Sequence, residues 1–239
     1  VGAVQGFCRV LAKTAPISNS TAINFLPDAT SLDGQGAASK KWKSDKGVYV
    51  TNCGVAGETW RKMMGLDGGS GAADTDAAWQ NGMTNVLLAW EGTNSITLGG
   101  RTPAQALSDA KDYITARRAV HPGWIVIVGT VPPRQAADQT TTNTLNANID
   151  AYNVLIRQQY KSIGANGLFD VRAVGSKFNW VDANGNPDYS ISTFEAHATE
   201  PNTIWASGET GAHVHFNSDG SAYIINNFVA PALRRLPRR

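Results

Sequence analysis

Three short segments carry the residues able to do chemistry. Asn52-Cys53-Gly54-Val55-Ala56-Gly57-Glu58-Thr59 follows a strand-like run, Gly92-Thr93-Asn94-Ser95 follows another, and His215-Phe216-Asn217-Ser218-Asp219-Gly220 lies near the C-terminal end. A glycine lets a backbone N–H approach a ligand closely. An asparagine amide donates hydrogen bonds without carrying charge, and a donor aimed at a developing oxyanion lowers a barrier by about 3–4 kcal/mol. A histidine titrates near neutrality and suits proton shuttling. Gly57, Asn94 and His215 therefore read as two oxyanion donors and a general base. No nucleophile motif accompanies them.

Each of these residues also has a plainer reading. Gly57 fits a turn after a strand, and Asn94 fits a helix cap or an Asx-turn. His213 and His215 would share a face of an extended segment. No third metal ligand stands at recognisable spacing, and His121 and His197 are isolated, so the pattern calls for no metal and no cofactor. His213 reads as a neighbour of the site. Trp205, in the loop before the last motif, reads as lining a substrate cleft. Trp90 and Trp124 fall within strands and read as core. The chain has no Gly-x-Ser-x-Gly elbow, no Gly-x-Gly-x-x-Gly after a strand and no Walker sequence, which sets aside an α/β-hydrolase and a nucleotide-binding protein.

The elements that must position these residues follow from apolar spacing. Phe7, Val10 and Leu11 predict a first helix ending before Pro16, and residues 18–46 read as loop. Gly47–Asn52 alternates as a strand. Asn85–Glu91 and Trp124–Thr130 are near-continuous apolar runs, as strands buried on both faces require. Thr102-Pro103 starts a helix running to about His121-Pro122. Leu145, Ile149, Tyr152, Ile156 and Tyr160 predict another. Gly167–Val171 is a short strand, 175–212 a long polar loop, and Ser221 to about Leu236 a final helix disturbed near Pro231. Strands alternate with helices throughout, which predicts one α/β domain over 1–239 with a mostly parallel sheet. Ligands of such sheets sit beyond the carboxyl ends of the strands, where Gly57 and Asn94 fall.

Composition narrows the partners. The 239 residues carry 21 basic and 19 acidic side chains, a net charge of +2, and 42% are hydrophobic. The densest basic cluster is Arg234, Arg235, Arg238 and Arg239, a short tail and not a nucleic-acid footprint. The longest apolar run, Trp124–Val128, is far too short to span a bilayer. Cys8 and Cys53 fit one bridge or two buried thiols equally well.

In order and spacing, the three motifs resemble the SGNH hydrolases, also called GDSL esterases and lipases. Asn52–Thr59 is similar to that family's Asn-x-Gly-x-x-Gly-x-Thr block. Gly92–Ser95 is similar to Gly-x-Asn-Asp, and Ala212–Gly220 in part to Asp-x-x-His-x-Asn with its trailing glycine. The resemblance implies a three-layer α/β/α sandwich with a flavodoxin-like parallel sheet, in which Gly47–Asn52 is the second strand and Asn85–Glu91 the third. It implies a serine esterase acting on acetyl or short acyl esters, possibly of carbohydrates. Gly57 and Asn94 would be its oxyanion donors, His215 its base, and no cofactor would be needed. Three departures stand out. The Gly-Asp-Ser block is absent, and Val1-Gly2 is similar to the continuation of that block, so the first strand is expected ahead of Val1. Ala212 stands where the acid is expected, three residues before His215. Ser95 replaces the usual aspartate, a loss expected to be mild. The alternative reading is an inactive module of the same fold that binds glycan or belongs to a surface structure.

Overall fold

A computed structural model describes residues 25–27, 40–44, 49–52, 57–69, 71–199 and 223–236. Its centre is a parallel sheet of β4 (Val86–Ala89), β5 (Ile125–Gly129) and β6 (Gly167–Phe169), in that spatial order. The register pairs Val86 with Ile125 and Ile127 with Gly167. Parallel neighbours need long crossovers. Here these contain α3 (Thr93–Thr97) and α4 (Pro103–Val120), then α5 (Gln139–Gln159).

Residues of β5 alternate between two cores. Val126 and Val128 pack with Leu107, Tyr113 and Ile114 of α4 and Ile149, Tyr152 and Ile156 of α5. Ile127 faces the other way, onto Phe169, Phe178, Phe194 and Val229. The neighbouring strand behaves alike, with Leu87 and Ala89 in the first core and Leu88 in the second. A period-2 strand with apolar residues at every position must be covered on both faces, and helices do so. The fold is an α/β/α sandwich.

Local sequence explains the helix ends. The Thr102 hydroxyl accepts from the Gln105 N–H while the Gln105 side chain accepts from the Thr102 N–H, a reciprocal cap with Pro103 following at once. Asp138 caps α5 through the Thr141 N–H at 2.9 Å. That helix therefore starts six residues before the apolar stripe does, in a polar run the spacing does not reveal.

The structure differs from the sequence expectations in three places. Residues 18–46 are not all loop: β1 (Phe25–Pro27) and β2 (Lys40–Ser44) lie within them. The strand expected at Gly47–Asn52 forms as β3 (Tyr49–Asn52), but it pairs antiparallel with β2, Lys43 opposite Tyr49, in a separate sheet ordered β1-β2-β3. It is not the second strand of the parallel sheet. A partner a few residues upstream closes an antiparallel ladder locally, whereas parallel pairing needs a crossover of a dozen residues or more. Third, the loop expected over 175–212 contains α6 (Ile191–Thr199). The Ser190 hydroxyl accepts from the Thr193 N–H at its start, and Phe194 is fully buried, too thin a stripe to read as periodicity. The final helix widens to a π-turn at Ile225–Val229 and resumes as α7 (Ala230–Arg234). Pro231 lacks an N–H and its ring crowds the preceding turn, which accounts for the widening. The helix expected around Phe7–Leu11, and both Cys8 and Cys53, lie outside the described residues.

Candidate active site

Gly57 adopts φ +74°, and among the described residues a Cβ built on it would meet only Leu98 Cδ1, at 3.9 Å. The position needs glycine for its left-handed backbone. The chain then turns into α1 (Trp60–Met63), where Thr59 Oγ1 accepts from the Lys62 N–H at 3.2 Å and Trp60 is fully buried. The Gly57–Thr59 turn is thus fixed from behind by a capped and anchored helical turn.

Asn94 comes from the turn after β4. Gly92 has φ +146°, and a Cβ there would sit 2.4 Å from Tyr152 Cε1, so the turn lies flat against the buried Tyr152 ring. Two residues on, the Asn94 amide donates to the Glu58 carbonyl at 3.1 Å, across 36 positions of sequence. The structure therefore brings Asn94 beside Gly57. A primary amide has two N–H donors. One is anchored on Glu58, and no group among the described residues takes the other.

Behind these two turns runs a closed ring of hydrogen bonds. The Trp60 N–H donates to Ser95 Oγ at 3.1 Å, and the Ser95 N–H donates to Glu91 Oε1 at 2.7 Å. Trp60 Nε1 donates to the Tyr152 hydroxyl at 3.2 Å, which in turn donates to the Glu91 carbonyl at 3.1 Å. Ser95 and Tyr152 have no exposed surface. The Ser95 hydroxyl is an acceptor that joins the two turns.

Glu91 is the unusual member. It ends an apolar strand run, is 9% exposed, and its Oε2 has no hydrogen-bond partner. Burial pushes its carboxyl up to about 8, against the downward pull of the Ser95 N–H and hydroxyl and the Asn94 N–H; nearby Asp109 adds to the rise. The Tyr152 phenol is also raised, by burial and then by Glu91.

The neighbouring loop at the same sheet edge is pinned as firmly. Asn153 grips Val131 through both its N–H and its carbonyl, each at 2.8 Å. Asn146 does the same to Arg134, also at 2.8 Å. Arg134 Nη1 reaches Thr97 Oγ1 at 3.0 Å, which joins this loop to α3.

Of the residues singled out from sequence, Gly57 and Asn94 meet at the carboxyl edge of the fold. His215, His213 and Trp205 lie outside the described residues, as does Ala212. Trp124 is core, and Trp90 packs on Phe169 with its Nε1 donating to the Thr130 carbonyl at 2.9 Å. His121 stacks on Trp79 and His197 on Trp180. No group of three or more His, Cys, Asp or Glu among the described residues could hold a metal ion. Sequence reasoning passed over Glu91, Trp60 and Tyr152. Glu91 did leave a signal, as a lone carboxylate closing an apolar strand directly ahead of a candidate donor turn.

No protein-family model and no curated protein matches this chain. Among solved structures, it is similar to a carbohydrate esterase family 3 protein from Talaromyces cellulolyticus, at 16% identity and a TM-score of 0.44 over 77% of this chain and 72% of that one. It is also similar to an acetyl esterase mutant solved with an acetate ion, at 19% identity and a TM-score of 0.43 over 76% and 69%. Both scores lie below the level from which a shared fold is argued, so the functional reading rests on the residues themselves.

Proposed function

We propose that this protein is an SGNH-type serine ester hydrolase acting on acetyl or short acyl esters, carbohydrate esters among them. The observation that carries the reading is the Asn94 amide, anchored through one N–H on Glu58 beside the left-handed Gly57, with no group among the described residues taking its second N–H. A half-anchored amide next to a glycine turn is what an oxyanion site requires, because its donors must be fixed before charge develops. In the mechanism, a serine hydroxyl attacks the ester carbon and His215 takes its proton. The carbonyl oxygen gathers negative charge between the Gly57 N–H and the Asn94 amide. The alcohol leaves with the proton from His215, and water then hydrolyses the acyl-serine with His215 again as base. These 239 residues hold no Gly-Asp-Ser, so the reading calls for that serine ahead of Val1.

The test is to express the reading frame extended upstream and assay short-chain p-nitrophenyl esters. Hydrolysis lost on replacing an upstream Gly-Asp-Ser serine by alanine is expected. An upstream sequence without such a serine, or a folded extended protein with no turnover, overturns the reading. One observation favours a second reading, a non-catalytic module that binds glycan: Ala212 leaves His215 without the acid expected to orient it. Glycan binding without hydrolysis in the same preparation would establish it.

A further inference from the structure

Glu91 occupies a place that the proposed mechanism does not use. It lies between the end of β4 and the turn carrying Asn94, and it enters the hydrogen-bond ring twice. Its side-chain Oε1 accepts the Ser95 N–H, and its backbone carbonyl accepts the Tyr152 hydroxyl. Ser95 and Tyr152 are in turn the two acceptors of Trp60, one for its backbone N–H and one for its indole N–H. The turn reaches Trp60 directly at Ser95 Oγ, and the Ser95 N–H is held by Glu91 Oε1; the indole side runs through Tyr152, whose hydroxyl is held by the Glu91 carbonyl. Trp60 closes the Gly57–Thr59 turn, so the separation between the two candidate donors is set by this circuit.

We propose that Glu91 is the positioning residue of the site, holding the Gly92–Ser95 turn against the Gly57–Trp60 turn so that the Asn94 amide keeps its distance from the Gly57 N–H. This rests on the ester-hydrolase reading for its catalytic consequence, but not for its geometric content. The Glu91 carboxyl acts through its acceptor oxygen Oε1. Glutamine supplies the same oxygen at the same reach, aspartate places it one methylene short, and alanine removes it. The rank order of the three variants is thus fixed in advance.

The experiment uses the extended protein in ¹⁵N-labelled form. The first readout is the Asn94 side-chain amide pair in an NMR spectrum, whose two protons differ in shift and exchange while one is held by the Glu58 carbonyl. Glu91→Ala should bring the pair to the values of a free amide at temperatures where the protein is fully folded, Glu91→Gln should keep it, and Glu91→Asp should fall between. The second readout is short-chain ester hydrolysis. Glu91→Ala should lower kcat by about 10-fold or more with KM within about two-fold, and Glu91→Gln should restore most of it. An unchanged Asn94 pair in folded Glu91→Ala overturns the proposal, as does a Glu91→Gln variant that behaves like alanine. If the parent hydrolyses no ester while its Asn94 pair responds as stated, the esterase reading fails and the positioning role stands. Should Glu91→Ala fail to fold, Glu91→Asp, which draws the acceptor oxygen back from the Ser95 N–H, asks the same question of the Asn94 pair, and an unchanged pair there overturns the proposal.

Discussion

Glu91 ties stability to pH in an unusual direction. The unfolded chain releases this proton near the ordinary glutamate value of 4.5, whereas the folded protein keeps it to about 8. Between those values the folded state binds more protons than the unfolded one, so stability falls as pH rises. Each pH unit in the window is worth about 1.4 kcal/mol, and the interval of about 3.5 units amounts to roughly 5 kcal/mol. That is a large part of a typical total of about 5–15 kcal/mol. The paired and capping carboxylates Asp67, Asp138, Asp170, Asp182 and Asp188 are all lowered, so their contributions are lost only as pH falls below about 4, outside the window. Glu91→Gln replaces the acid by the neutral shape of its protonated form. Urea unfolding of the folded protein and of Glu91→Gln at half-unit steps from pH 4.5 to 8.5 isolates the term. The parent should lose stability relative to the variant by several kcal/mol across the range, with the difference levelling off above about pH 8. Parallel curves for the two proteins would refute the reasoning, since they would mean that Glu91 ionises in the folded state as readily as in the unfolded one.

Four further outcomes can be measured. Ser95→Ala strands the buried Trp60 N–H, and a stranded buried donor costs about 1–3 kcal/mol, so Tm should fall by several degrees, measurable by calorimetry. Gly92→Ala must displace the Tyr152 ring and adopt a backbone angle that L residues rarely take, so it should cost more than Ser95→Ala in the same scan. In the extended protein, Asn94→Ala should lower kcat on a short-chain ester by about 10²–10³ while changing Tm little, because the one hydrogen bond it loses is partly exposed. His213→Ala should leave turnover intact where His215→Ala abolishes it, and the reverse pattern would mean that His213 is the base.

The sequence by itself determined the elements whose causes are local. The β-branched run Ile125–Val128 specified a strand buried on both faces, because no residue in it can face water cheaply. Thr102-Pro103 with Gln105 specified the start of α4 through groups three residues apart. Ile149, Tyr152 and Ile156 specified the buried stripe of α5 by spacing alone. Gly57 and Asn94 could be singled out because strand ends are readable and ligands gather beyond them. What only the tertiary structure decided has causes that are not local. Whether β3 paired with the parallel sheet or with β2 depended on which partner the chain could reach, and the nearby one won. Ser95 gained its structural part only when Trp60, which no spacing rule connects to it, supplied the N–H that its hydroxyl accepts. Glu91 read as one acidic residue at the end of a strand. Its elevated proton affinity and its place in the ring come from Tyr152, Trp60 and the walls of the first core, which arrive from α5, α1 and α4. A titration shift measures lost water and nearby charge, and both are properties of the assembled interior, not of neighbours in the chain.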